Sequence, residues 1–192
     1  MSQKYFQVRR AQMKKVINAL IMLLAGFFIA LIYSGLFSSV EIYEGDIGPF
    51  ILVYQHHTGD YAETGNIQNT IYQTLQKEFN VSATKGFGQY YDDPKKVPAE
   101  KLRSIAGCIL EPEYRDRIPA IEKKYIVSEY KKTRSVVAVF PYKNQLSIFL
   151  GVLRVYPALD KYIQRKGYPF SPALEIYDLG SKKIIYSFPI LQ

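Results

Sequence analysis

Hydrophobic positions follow two different patterns along this chain. Residues 16–37, VINALIMLLAGFFIALIYSGLF, are predominantly apolar: 22 consecutive residues carry no charge. A helix rises about 1.5 Å per residue, so this run is long enough to cross a bilayer core of about 30 Å. Beyond Val40 the apolar positions become periodic. Phe50 to Gln55 reads as a strand that ends at His56-His57-Thr58-Gly59-Asp60. In residues 66–79, Ile67, Ile71, Leu75 and Phe79 recur every fourth position, which predicts a helix with one apolar face. Gly86 to Tyr91 and Ile105 to Leu110 read as strands. Between them lies a loop, DDPKKVPAEK, held extended by two X-Pro steps.

The same order then repeats. Ser135 to Tyr142 is a β-branched strand, with Pro141 marking its end or an edge. Val152, Val155, Leu159 and Ile163 share a helical face in residues 152–165, and Pro157 places the start of the regular helix near itself. Ala173 to Leu179 and Lys183 to Phe188 are strands joined by a short turn at Gly180-Ser181. Residues 111–130 read as a polar connection with short helical content. The predicted architecture is α+β: two pseudo-symmetric strand-helix-strand-strand halves with an antiparallel sheet and helices on one face, preceded by one transmembrane helix. The other sheet face is then open as a concave site. In chain order this gives a basic segment (1–15), a transmembrane helix (16–37), a juxtamembrane linker (38–46) and one domain (47–192).

A retained anchor fits the apolar run better than a cleaved signal peptide. The run exceeds the usual h-region, and no clear small-x-small site follows it, although Ser34-Gly35 and Ser38-Ser39 leave cleavage open. Lys4, Arg9, Arg10, Lys14 and Lys15 precede the run, while Glu41, Glu44 and Asp46 follow it. By the positive-inside rule this charge bias sends the domain across the membrane.

Charge changes the picture little beyond the anchor. The net charge is +8, but most of it lies in residues 1–15, so the rest does not suggest a nucleic-acid partner. The basic block suits acidic headgroups, with lipid contacts made by residues 16–37. Cys108 is the one cysteine, so no intrachain disulfide forms. Its apolar surroundings suit a small buried hydrophobe better than a nucleophile. Adjacent His56 and His57 point to opposite faces of a strand, and no Cys/His cluster supports a metal. No cofactor, metal or catalytic residue is expected.

Glu175 is the candidate binding group. Strand alternation places Leu174 and Ile176 on one face and Glu175 with Tyr177 on the other. If the apolar pair packs against the helices, Glu175 faces the concavity and can bind a cationic ligand; an exposed strand glutamate is the competing reading. The chain holds 17 tyrosines and no tryptophan. Among them Tyr54, Tyr90, Tyr91, Tyr142 and Tyr177 lie on or beside predicted strands. Tyr54, Tyr90, Tyr142 and Tyr177 are, with Glu175, the predicted ligand contacts.

Several stretches resemble known proteins. VYQHHTGDY (53–61), YYDDPKKVPAEKLRS (90–104) and LEIYD (174–178) resemble the gyrase-inhibitor-like (GyrI-like) small-molecule-binding domain family. YSGLFSSVEI (33–42), ETGNI (63–67) and FPYKNQLSIFLGVLRVYPALDKYI (140–163) resemble the testis-expressed endoplasmic-reticulum-phagy receptors of animals. These join one membrane helix to a GyrI-like domain. The resemblance implies two pseudo-symmetric halves, a cleft for small molecules and a pocket glutamate at Glu175. It also implies a cytosolic domain at the endoplasmic reticulum or nuclear envelope of a eukaryotic host, against the charge bias. The receptors carry an acidic C-terminal tail that binds autophagy ubiquitin-like proteins, and no such tail follows the last predicted strand here. The reading that results is a non-enzymatic, membrane-anchored module acting as adaptor or sensor for a small ligand or protein partner. A selective-autophagy receptor is the first alternative, and a small hydrolase using Glu175 is the last.

Overall fold

The computed structural model describes residues 2–191. It opens with α1 (Ser2–Ser34), within which Gln12–Tyr33 is long and apolar enough to cross a membrane. The helix therefore takes in much of the basic segment and ends three residues short of the apolar run. Gly35, at a positive φ of 112°, turns the chain out of it.

Eight antiparallel strands form one sheet: β1 (Glu41–Ile47), β2 (Phe50–Thr58), β3 (Lys85–Tyr90), β4 (Arg103–Leu110), β5 (Ile126–Tyr130), β6 (Thr133–Pro141), β7 (Ala173–Asp178) and β8 (Lys183–Pro189). Their order across the sheet is β1-β6-β8-β7-β3-β4-β2-β5. Helix α2 (Thr64–Phe79) packs on the first half, where Ile71 and Leu75 are fully buried against Val53 and Cys108. A short α3 (Ile118–Ile121) adds Ile121 to that cluster. Helix α4 (Gln145–Lys166) packs Leu150, Val155 and Leu159 against Val136, Ala138 and Phe140 of β6.

Four expectations change in detail. His56 and His57 continue β2 rather than ending it, although they do point apart. The segment expected as a juxtamembrane linker contains β1, whose Glu44 carboxylate accepts hydrogen bonds from Tyr162 and Tyr168. The polar connection 111–130 contains β5. Helix α4 begins far ahead of Pro157, because Asn144 and Ser147 form a reciprocal capping box. Its buried stripe is Leu150, Val155 and Leu159, and Val152 faces outward.

The strand order reveals an exchange between halves. β1 immediately precedes β2 in sequence but pairs with β6, while β5 immediately precedes β6 but pairs with β2. Ile47 of β1 faces Thr133, and Phe50 of β2 faces Tyr130, so swapping the two halves carries one pair onto the other. Only residues 48–49 join β1 to β2, although these strands lie near opposite ends of the sheet order. Three peptide steps reach about 10 Å, so the sheet must curl until its ends meet. They do meet: Gly48 packs against Tyr130 and Lys131, and Lys132 pairs with Asp46 at 3.0 Å. The curl encloses Leu52, Phe87, Ile105, Ile109, Leu174 and Ile176. The sheet face opposite the helices is thus filled with apolar side chains rather than open as a concave site.

Candidate functional site

The open space lies on the helix side, in a cleft of about 1310 Å³ between α2 and α4 above β3 and β7. These two strands are paired at the centre of the sheet, with Gly86 opposite Tyr177, Gly88 opposite Glu175, and Tyr90 opposite Ala173. All six residues face the cleft by strand alternation. Leu174 and Ile176 take the other face, against Phe87, so the apolar pair packs away from the helices. Glu175 faces the cavity for a different reason than its sequence suggested: the helices straddle the site and leave the gap above it.

Glycines make this floor low. A Cβ at Gly88 would lie 2.4 Å from the Tyr90 hydroxyl, so the Tyr90 ring folds back over the bare backbone. The hydroxyl of Tyr90 meets Thr64 Oγ1 of α2 at 3.2 Å, and its ring packs on Tyr61 with centroids 4.7 Å apart.

Glu175 is the chemical centre. It is only 4 % exposed. Tyr156, from α4, donates to Oε1, and Tyr177 donates to Oε2. Burial raises its carboxyl pKa above the ordinary range, and the two tyrosine hydroxyls partly oppose that by favouring the ionised form. Tyr156 and Tyr177 are pushed upward, first by burial and then by the neighbouring carboxylate. Both remain neutral donors at ordinary pH. The Tyr156 ring is held edge-on against Tyr186 and Phe188, with centroids 5.7 and 5.9 Å away. The result is one carboxyl group in an aromatic pocket, with each oxygen already holding a hydroxyl.

The rim is also fixed. Asp92 accepts hydrogen bonds from the Arg103 backbone N–H (2.8 Å) and from its guanidinium at Nε (3.0 Å) and Nη2 (2.7 Å). These bonds lower the Asp92 carboxyl pKa. They anchor the loop that follows, and Lys95 reaches across to Asp160 of α4 at 3.2 Å.

The predicted contacts Glu175, Tyr90, Tyr142 and Tyr177 all line this cleft. Tyr54 does not: it lies on the opposite face, in edge contact with Phe87 at 6.4 Å. Tyr91 packs in that same apolar cluster. Sequence reading missed Tyr156, Tyr61 and Phe188. Tyr156 lies inside α4, one residue ahead of Pro157, where a helical period carries no sign that its hydroxyl reaches a strand carboxylate. Cys108 is buried, and burial pushes its thiol up to about 12.

This fold and cleft define a class. The GyrI-like small molecule binding domain matches residues 41–183, and the chain belongs to that family. It is 33% identical over 153 residues to the testis-expressed protein 264 homolog of Mus musculus, covering 76% of this chain and 48% of that protein. It thus spans about half the length of the curated relatives it matches. Among solved structures, the EcmrR C-terminal domain superposes with a TM-score of 0.56 at 13% identity, covering 80% of this chain and 98% of that one. The structure of SAV2435 bound to tetraphenylphosphonium superposes with a TM-score of 0.51 at 12% identity, covering 79% of this chain and 94% of that one. At such identities the two superpositions speak for the fold alone.

Proposed function

We propose that this protein is a membrane-tethered binding module whose cleft takes an organic cation with flat apolar groups. The observation that carries the reading is the buried Glu175 carboxyl, held by two tyrosine hydroxyls on the floor of an aromatic cleft. A cation placed over it supplies a Coulomb attraction that offsets the hydration the carboxylate loses on burial, and the aromatic walls add contact area and cation–π attraction. The ligand in the SAV2435 structure, tetraphenylphosphonium, has this chemistry and serves as a probe. Calorimetric titration of the full chain in detergent with tetraphenylphosphonium should show saturable binding. Loss of the charge in Glu175→Gln removes a Coulomb attraction of about 2 kcal/mol, for unit charges about 8 Å apart at an effective dielectric of about 20, and should weaken binding roughly tenfold to a hundredfold. Equal affinity in the two proteins would sink the assignment.

Anchoring by α1 belongs to the same proposal, supported by its length and its exposed apolar side chains. Protease protection of a C-terminal tag in sealed microsomes tests which side the domain occupies. Asn80-Val81-Ser82 supplies an internal check, since Asn80 is exposed and a glycan there would mark the lumenal side.

A second reading, an adaptor resembling the endoplasmic-reticulum-phagy receptors, draws support from the likeness to testis-expressed protein 264. It requires a cytosolic domain at the endoplasmic reticulum or nuclear envelope. Direct binding of purified autophagy ubiquitin-like proteins to the chain would favour it, and a glycan on Asn80 would rule it out.

A further inference from the structure

The end of α1 is fastened to the wall of the cleft. Ser34 is fully buried, and its hydroxyl accepts a hydrogen bond from Asn144 Nδ2 at 3.0 Å. Ser147 Oγ donates to the Ser34 carbonyl at 2.9 Å, and Arg154 donates to the Leu36 carbonyl. The Asn144 cap and α4 as far as Arg154 are therefore held within side-chain reach of the point where α1 ends.

That same stretch of α4 carries an uncovered apolar face. Phe149, Val152 and Leu153 share one side of the helix and are 59%, 43% and 55% exposed. Val152 and Leu153 also line the cleft, together with the exposed Phe170 and Leu179. The apolar face is thus the lip of the binding cavity. Three exposed lysines fringe it. The Lys143 ammonium sits 5.0 Å from the ring centroid of Tyr33, in the last turn of α1. Tyr142 N–H donates to the Lys182 carbonyl at 2.9 Å, and Lys183 pairs with Pro141 across the β6–β8 ladder. The β7–β8 turn, with Leu179, Lys182 and Lys183, is thereby gathered at the same junction.

Exposed large apolar side chains ringed by lysines are the composition of surfaces that sit in the headgroup layer of a bilayer. Here the surface is continuous with a helix of membrane-spanning length. We propose that this face rests on the bilayer that α1 enters, so that the mouth of the cleft opens onto the lipid headgroup layer and its ligands exchange with the interface. The proposal rests on the anchoring reading, and its test separates the two.

Single thiols at Phe149→Cys, Leu153→Cys, Ile21→Cys and Lys123→Cys would carry an environment-sensitive fluorophore. The buried Cys108, 2% exposed, stays unlabelled. The full-length proteins are reconstituted in phosphatidylcholine–phosphatidylserine vesicles holding lipids with a nitroxide quencher at shallow or deep positions. Labels at 149 and 153 should be quenched by the shallow nitroxide several-fold more than the label at 123, and the label at 21 by the deep one. If 149 and 153 match 123 while 21 is quenched, the anchor stands and the proposal falls. If 21 escapes quenching, anchoring itself fails and takes the proposal with it. In the Phe149→Cys background, Lys143→Glu, Lys182→Glu and Lys183→Glu together should reduce shallow quenching several-fold in these anionic vesicles. Unchanged quenching would overturn the role given to the lysines.

Discussion

Glu175 combines two opposing effects on one carboxyl group. Burial disfavours its charge, while Tyr156 and Tyr177 favour it. The balance lies on the side of a raised pKa, and two consequences follow for pH. A bound cation favours the carboxylate and lowers that pKa again. Affinity should therefore be constant at pH above the raised value of the free protein and should fall as pH drops through it, with proton release on binding. Titrating tetraphenylphosphonium across the acid range in two buffers of different ionisation heat reads both quantities. Stability has the opposite slope. A carboxyl whose folded pKa exceeds its unfolded one stabilises the fold at low pH, and that contribution is lost as pH rises through the folded value. Glu175→Gln cannot ionise, so its melting temperature relative to the parent should rise with increasing pH and converge in acid. Period two alone places Glu175 and Tyr177 on one face of their strand; that this face looks into the cleft, with Tyr90 of β3 beside it, depends on the β3–β7 pairing and on how the helices straddle the sheet. Tyr156 was not legible, because its role depends on how α4 is aimed over the sheet.

At the level of elements, glycine and the helix cap set the cleft's dimensions. Gly88→Ala would drive a methyl group into the Tyr90 hydroxyl, whose ring is already held by Thr64 and Tyr61. Overpacking of this kind costs about 1–3 kcal/mol, and here it should also displace a wall of the cleft. Thermal denaturation and tetraphenylphosphonium affinity should therefore fall together. Asn144 both caps α4 and holds Ser34. Asn144→Ala should destabilise the domain by about 1 kcal/mol through the cap, as measured by circular dichroism melting in detergent. The core strands and α2 were readable because each carries its own apolar period. β1 and β5 were not: both are edge strands rich in polar residues, EIYEGDI and IVSEY, and their partners lie in the other half of the chain. Pro157 misled the reading of α4, since a proline suits a first turn better than an interior and the true cap lies well before it.

For the whole molecule, exchange of β1 and β5 makes each half depend on the other for an edge strand. A fragment such as Val40–Tyr125 would lack β5 and leave β1 without its β6 partner, so it should fail to fold. Co-expression with residues 126–192 should restore a soluble complex with a melting transition. An independently folded first fragment would contradict this account of the sheet. Sequence periodicity conveyed two halves of similar plan, but not the exchange between them, because pairing between distant edge strands leaves no local period.

The same pairing has a consequence for ancestry. Swapping the halves carries the Gly88–Glu175 pair onto itself and Tyr90 onto Tyr177. Gly88 and Glu175 are therefore counterparts that meet on the rotation axis. In a dimer of identical half-length chains, whatever occupied one of these positions would also occupy the other. Such a dimer would hold two carboxylates about 5 Å apart, repelling one another, or none at all. Covalent fusion of the halves lets the two positions diverge, so that a single charge can sit on the axis with bare backbone opposite it.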